Sequence, residues 1–509
     1  MILTLATLAT ALPVWIGRYL PLLDYPNHLS NVFVWRHLSD PAYGFSRFYQ
    51  LHLVPLPYWV QYGAVYLLAF PFGEETAQKL FLTLALLSLP LAVALYARRL
   101  GRDPRLCLFA FPLAWNYNVS LGFLNYAAGT SALFFALVLL DRYASRPHWL
   151  WGLLSSLAGA SRYFFHILSW GAYLAVGGVT SVMAPRRLRL GSLLLAPLPL
   201  VPALAVGLWA YQASKTMNVP LSPFTGRGLA GLDMVHYEVA GVLHGLPDWL
   251  MNVHPGWFDE AAMAVLGFCW LMLLVTPAKA SDKTHHTGNA PLRNWRLEAA
   301  ALAATALLFL LPRTLHRPFY WYAINTRIAV LAALFFTLWV RGPITGVAGA
   351  AGVRRPIFWF AAVFAIGHGL VMARHVYRFN VRARGFDEVM AKVEPGIHGP
   401  RVLSIMENLG DPDINVNAFN QWGSYVQMRQ GGFVPYGVDM GFPTRHISSV
   451  PAPPNDHPEA FNWALHGAHW DLFLVHGPSR VDPFGGAHNR VRSLAKSGDW
   501  ELWTKEQQK

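Results

Sequence analysis

Cysteine is almost absent from this chain: Cys107 and Cys269 are the two in 509 residues, and both fall inside apolar runs. That excludes a disulfide framework and a cysteine-built metal centre. Charge is scarce as well. Only 13% of residues are charged, against about 25% in an ordinary soluble protein. Carboxylates are the scarcest, with 27 Asp and Glu against 40 Lys and Arg. No internal repeat of fixed period is present, which argues against a solenoid and against a transporter made of two like halves.

What fills the chain is apolar: 54% of residues are hydrophobic and 14% aromatic. Leu80–Ala97, Gly191–Tyr211, Ala261–Thr276 and Leu297–Leu311 carry few or no charges, and an apolar run of about 18 residues or more reads as a membrane helix. The sequence therefore predicts an α-helical polytopic membrane protein. Residues 1–23 lack a basic start and a small-residue cleavage site, so they read as a first helix rather than a signal peptide. The net charge of +13 does not point to nucleic acid, because much of the excess sits in short connections between apolar runs.

Those connections fix an expected orientation. Arg98, Arg99, Arg102 and Arg105 form one basic loop, Arg142 and Arg146 another, Arg186, Arg187 and Arg189 a third, and Lys279, Lys283, Arg293 and Arg296 a fourth. Loops of this kind face the cytoplasm. The segment around Asp24, the stretches 213–258 and 313–326, and the tail then face outward. A full span over residues 57–72 would break this scheme. Its Tyr58, Trp59, Tyr62 and Tyr66 suit the headgroup region, so an interfacial or re-entrant helix is expected there. The total is about eleven spans. From residue 378 the charge rises, and β-like stretches appear at Arg401–Ile405, around Phe433 and at Trp470–Val475. The expected division is a transmembrane module over 1–377 and an extracytoplasmic α/β domain over 378–509. Trp463, Trp470 and Tyr425 could stack on sugar rings there or simply form its core.

Polar residues gather where the outer membrane boundary should lie. Asp24-Tyr-Pro-Asn-His28 follows the first apolar segment, and a carboxylate there is costly without a task or a partner. Asn116, Asn118 and Asn125 crowd the turn between two spans. Arg162 and His166 are four apart, so on one continuous helix they share a face. Arg313, His316, Arg317, Tyr320 and Arg327 enter the last outer turn, and Asp233, His236 and Glu238 lie in the large outer loop. Arginines at such a boundary suit a lipid-linked phosphate, since a guanidinium matches phosphate oxygens in pairs. Asp24 suits a general base that activates an acceptor hydroxyl or amine. Each group also has a structural reading: Asp24 as a helix-end residue, His28 as a hydrogen-bonding support, the asparagines as turn formers, the arginines as interfacial anchors. His236 and Glu238 offer only two ligands, so no metal site is assigned, and His285-His286 in a cytoplasmic loop reads as inert.

Leu23-Asp-Tyr-Pro-Asn-His-Leu29 and Leu121-Gly-Phe-Leu-Asn-Tyr126, with the Arg-Arg-Leu-Gly-Arg turn between them, resemble bacterial membrane glycosyltransferases of the GT-C class. The resemblance covers residues 1–375 in architecture. It implies a polyprenyl-phosphate sugar donor, transfer at the outer face of the plasma membrane, and an outer domain at the C-terminus. It places Asp24 in the position of the catalytic acid of the first outer loop, with His28 beside it. Asn118, Asn125, Arg162, His166, His316, Arg317, Tyr320 and Arg327 are then the substrate-binding set. The chain departs from the family where Tyr25 follows Asp24 in place of a second acid, and where the second outer loop offers amides instead of a carboxylate. The resemblance thus leaves the cofactor unknown, a divalent metal included. Two other readings are open: a transporter or flippase for a lipid-linked substrate, which would place its polar groups near the midplane, and a noncatalytic membrane scaffold.

Overall fold

The computed structural model describes residues 1–55, 57–183, 194–216, 233–276, 295–317, 322–340, 348–393, 399–435, 443–447, 450–453, 460–477, 483–484 and 486–506. Apolar composition builds most of it into helices. Among the described residues, Glu74–Arg99, Leu124–Ser145, Phe258–Val275 and Arg354–Ala391 are long and apolar enough to cross a bilayer. Ile2–Trp15, Ile167–Val182, Leu198–Ala213 and Ile324–Trp339 are shorter apolar helices. By length and composition, these are the helices of a multi-pass membrane protein.

The helix Glu74–Arg99 shows how sequence sets a span. Its 26 residues extend about 39 Å at 1.5 Å per residue, enough for a hydrocarbon core of about 30 Å. Glu74 and Glu75 occupy its first turn, and Arg98 and Arg99 its last. Acids at the N-terminal end and bases at the C-terminal end both complement the helix dipole. The preceding helix, Trp59–Phe72, has only 14 residues, about 21 Å. Both of its ends return to one stretch of chain. Tyr62 near its start meets His28, and Glu74, just past its end, pairs with Arg36 and His37. Gly73 makes the sharp turn between the two helices at φ +74°, a conformation that costs glycine nothing.

The long helix Ala348–Arg382 runs through the expected boundary at 377/378 without a break. Beyond it lies a four-stranded sheet of order β4-β6-β8-β7. β4 (Val402–Met406) and β6 (Leu472–His476) pair in parallel; β8 (Trp500–Lys505) and β7 (Val491–Ser497) add antiparallel. Every residue of β4 and β6 is buried, as expected for strands covered on both faces. Side chains alternate between the faces. Val402, Met406, Leu472 and Leu474 join the core that continues from the membrane helices. Leu403, Ile405, Phe473 and Val475 pack instead with Val34, Phe45 and Tyr49 of the first outer segment. The stretch around Phe433 makes only a single bridge, to Arg401, while β7 and β8 were not expected. Tyr425 and Trp470 are core residues.

The segment that follows Asp24 and the tail are therefore interlocked. β1 (Tyr49–Leu51) pairs with β5 (Thr444–His446). The helix Tyr25–Arg36 packs on the helix Gly423–Gln430, with Ser424 bonded to Asn27 and Ser30 to Gln427, each at 2.5 Å. A further antiparallel pair, β2 (Asp233–Val235) and β3 (Thr314–Arg317), joins two segments distant in sequence.

Candidate functional site

Asp24 stands at the head of the helix Tyr25–Arg36, where Pro26 sets the first turn. Its backbone is pinned to the asparagine-rich turn: Leu23 N–H donates to Ser120 O at 2.9 Å, and Asp24 N–H to Leu121 O at 3.2 Å. Gly122 lies against it at φ +86°, and a side chain there would put Cβ 2.7 Å from Asp24 N. Only glycine fits. Residues 25–30 are buried, while Asp24 keeps part of its surface open. Its side chain caps no helix N–H and has no hydrogen-bond or ion-pair partner among the described residues. Burial pushes the carboxyl up to about 7, with the Arg327 guanidinium pulling against that rise.

His28 sits one turn on, its N–H donating to Asp24 O at 3.0 Å. Its Nδ1 is 2.9 Å from Tyr62 Oη, and the Gly122 backbone bonds to the ring as well. Burial lowers the imidazole to about 4, so it is neutral at physiological pH. With one nitrogen donating to a carbonyl, the other accepts from the tyrosine hydroxyl.

Arg327 closes the opposite wall, in the first turn of Ile324–Trp339. Its guanidinium lies 3.9 Å over the Phe123 ring, and Nη1 is 3.1 Å from His166 Nε2. Tyr126 Oη donates to Arg327 O. Tyr58 and Tyr126 each set their rings edge-on to His166 at 5.2 Å. Two helices that carry these groups begin at non-glycine residues of positive φ, Tyr58 at 82° and Ala323 at 57°. Such residues cost on the order of 1–3 kcal/mol and cluster where side chains are held in place for function.

The continuous helix expected through Arg162 and His166 is broken. His166 is extended, at φ −166° and ψ 135°, and caps the next helix by accepting from Leu168 N–H at Nδ1, 3.1 Å. This turns the two side chains apart. Arg162 folds back on its own helix, with Nε on Ala158 O at 3.0 Å and its guanidinium 4.4 Å over Phe165. His166 goes to Arg327 instead. Because Nδ1 accepts, Nε2 carries the proton. Arg327 Nη1 and His166 Nε2 then present their N–H groups side by side.

The asparagines divide. Asn116 caps its own turn, accepting from Asn118 N–H and Val119 N–H. Asn125 is consumed by Gln61: Oδ1 accepts from Gln61 N–H at 3.1 Å and Nδ2 donates to Gln61 Oε1 at 2.8 Å. It clamps the short helix Trp59–Phe72 to the turn rather than facing outward. Asn118 is buried with neither end of its amide hydrogen-bonded among the described residues. The side chains of His316 and Arg317, and all of Tyr320, lie outside the described residues, as do His285 and His286. His236 is exposed, and Glu238 heads the helix Val239–Leu250. Tyr58 and Tyr62 were read as membrane-interface residues, and Gln61 was not singled out. The signal that marks them as site residues is Gln61, a lone amide inside an apolar run.

No family model and no curated protein matches this chain. Among solved structures, the crystal structure of ArnT from Cupriavidus metallidurans in the apo state aligns over 99% of this chain and 96% of its own, at 13% identity and a TM-score of 0.53. The cryo-EM structure of the arabinofuranosyltransferase AftD from Mycobacteria aligns over 99% of this chain, at 14% identity and a TM-score of 0.49. This chain spans only 40% of the length of AftD. At such identities the likeness shows fold alone, and the fold of this chain is similar to that of ArnT.

Proposed function

We propose that this protein transfers a sugar from a polyprenyl-phosphate donor to an acceptor at the outer face of the membrane, with Asp24 as general base. The observation that carries the reading is the Asp24 carboxylate, which keeps part of its surface open, has no hydrogen-bond or ion-pair partner among the described residues and feels the charge of Arg327. A structural carboxylate at that depth would be paired. A carboxyl near 7 divides its time between acceptor and donor of protons at working pH, which is what a general base needs.

The acceptor's hydroxyl or amine attacks the anomeric carbon, the bond from that carbon to the phosphate oxygen breaks, and the acceptor proton passes to Asp24. Charge develops on the departing phosphate. Arg327 Nη1 and His166 Nε2 supply two N–H donors for it, and the preorganised cation lowers the barrier because it needs no rearrangement. His28 and Tyr62 hold the Asp24 turn and are positioning residues. Asn118 joins the substrate once the site is filled, and Phe123 keeps the guanidinium flat.

The test is transfer of labelled sugar from a polyprenyl-phosphate donor by the purified protein in liposomes. Asp24→Asn lowers the rate by about 10²–10⁴-fold, the usual contribution of a positioned base. In the wild type, transfer rises with pH through about 7, the value to which burial raises Asp24. Undiminished transfer by a folded Asp24→Asn protein overturns Asp24 as the base, and absence of transfer by the wild type as well overturns the transferase reading and favours a transport role.

A further inference from the structure

Away from Asp24, three buried ligand atoms converge on one point. His254 lies in the loop after the helix Val239–Leu250, Asp259 opens the helix Phe258–Val275, and His368 projects from Ala348–Arg382. All three are at most 5% exposed. One ligand atom from each lies within 4.8 Å of the other two. His254 Nε2, Asp259 Oδ1 and His368 Nε2 are buried with no hydrogen-bond partner among the described residues. Each buried polar atom left unmatched costs about 1–3 kcal/mol, so three in one place call for a shared partner.

The far sides of these groups are already arranged. Asp259 Oδ2 accepts from Val253 N–H at 2.6 Å and His254 N–H at 2.8 Å, which leaves Oδ1 pointing inward. His254 Nδ1 is 3.0 Å from His375 Nδ1. A proton on His254 Nδ1, donated to His375, puts a lone pair on Nε2. The His368 ring is flanked by Phe258 and Phe364. Outer partners that fix tautomer and ring angle are what ligating histidines and carboxylates have around a metal.

We propose that His254, Asp259 and His368 bind one divalent transition-metal ion, of which Zn²⁺ fits the donors best. Two imidazoles and one carboxylate suit zinc with a fourth position for water. Calcium and magnesium favour all-oxygen sets. The ion joins the loop at 254, the helix after it and the long helix that leads into the tail. The loop it holds also binds the tail, where Asn415 N–H donates to Val253 O at 3.1 Å. The adjoining helix Val239–Leu250 packs on Ile324–Trp339, which carries Arg327, and on the turn Tyr117–Ser120. The ion is a staple for the outer loops; it shares no ligand with the Asp24 site and stands whether or not that site transfers sugar.

Elemental analysis of the full-length protein, purified in detergent without added chelator, checks this. About one equivalent of zinc is expected, falling to background in His368→Gln and Asp259→Asn. Adding Co²⁺ to chelated wild-type protein produces visible d–d bands of a four- or five-coordinate site, absent in His368→Gln. Chelation lowers the melting temperature of the wild type, and Zn²⁺ restores it. His375→Gln folds with its ligands intact and weakens Co²⁺ binding about 10–100-fold. Metal-free protein as purified, with no cobalt spectrum and melting indifferent to chelator, overturns the proposal. So does a cobalt spectrum that survives His368→Gln.

Discussion

The two ends of the helix Leu124–Ser145 handle charge in opposite ways. Toward its C-terminal end, Asp141 is closed between Arg99, Nε to Oδ2 at 2.5 Å, and Arg296. The triad ties together three helices: Glu74–Arg99, Leu124–Ser145 and Arg296–Leu310. At the other end, about 24 Å away along the helix, the charges are held apart. Asp24 has no partner among the described residues, and Arg327 turns to a histidine. A cavity of about 560 Å³ lies at the closed end, lined by Arg99, Arg142, Arg146 and Arg296. The ion pairs at that end hold helices together, whereas the Asp24 carboxylate has no partner among the described residues.

Opposite stability effects are the sharpest way to break this comparison. Asp141→Asn leaves the buried Arg296 and the half-buried Arg99 without this counter-charge and destabilises by about 3–5 kcal/mol. Asp24→Asn moves the other way. Its carboxyl lies at about 7 when folded, above the ordinary 3.8, so the unfolded chain ionises first and the fold loses stability as pH rises from about 3.8 to about 7. The amide removes that loss. At pH 8 the Asp24→Asn protein melts above the wild type, and the gap closes as pH falls toward 4. Melting curves in detergent read both. A similar drop in melting temperature for the two variants would erase the distinction.

Much of this was legible in the chain, for physical reasons. Scarce charge and long apolar runs dictate helices in a membrane. Asp24 was legible because a carboxylate at the end of an apolar run needs an explanation. What escaped depends on contacts distant in sequence. Asn125 is equally a ligand or a clamp until Gln61, 64 residues earlier, is placed beside it. Arg162 and His166 share a face only if the helix continues, and no glycine or proline announces its break. The metal cluster draws His254 and Asp259 together with His368, more than a hundred residues on, so no local spacing could show it. β7 and β8 were missed because Arg492, Lys496 and Glu501 interrupt their apolar pattern.

A smaller effect is expected at the cation. Arg327→Lys keeps the charge but loses the flat stack on Phe123 and the paired N–H geometry toward His166. A lysine is a point charge where a phosphate needs a fork. The rate at low donor concentration drops about 10–100-fold, or about 1.4–2.7 kcal/mol, mostly through KM for the lipid-linked donor. Steady-state kinetics with varied donor separate this from Asp24→Asn, whose loss falls on kcat. An equal loss on kcat in both would mean that Arg327 serves the acceptor step instead.

The smallest effect tests whether the tail belongs to the open end. The helix that Asp24 heads is bonded to the tail through Asn27–Ser424 and Ser30–Gln427, and both pairs are buried. If the tail buttresses the Asp24 helix, Asn27→Ala and Ser424→Ala are coupled. Each removes one side of the same hydrogen bond and strands the other, so the double variant loses less than the sum of the singles. A buried bond of this kind gives a coupling of about 0.5–1.5 kcal/mol. Urea or thermal unfolding of the four proteins measures it. The same cycle run on sugar transfer separates support from mere attachment. A coupling in stability alone means the tail is tied on, whereas a coupling in rate means that the tail sets the position of the Asp24 carboxylate through the helix Tyr25–Arg36.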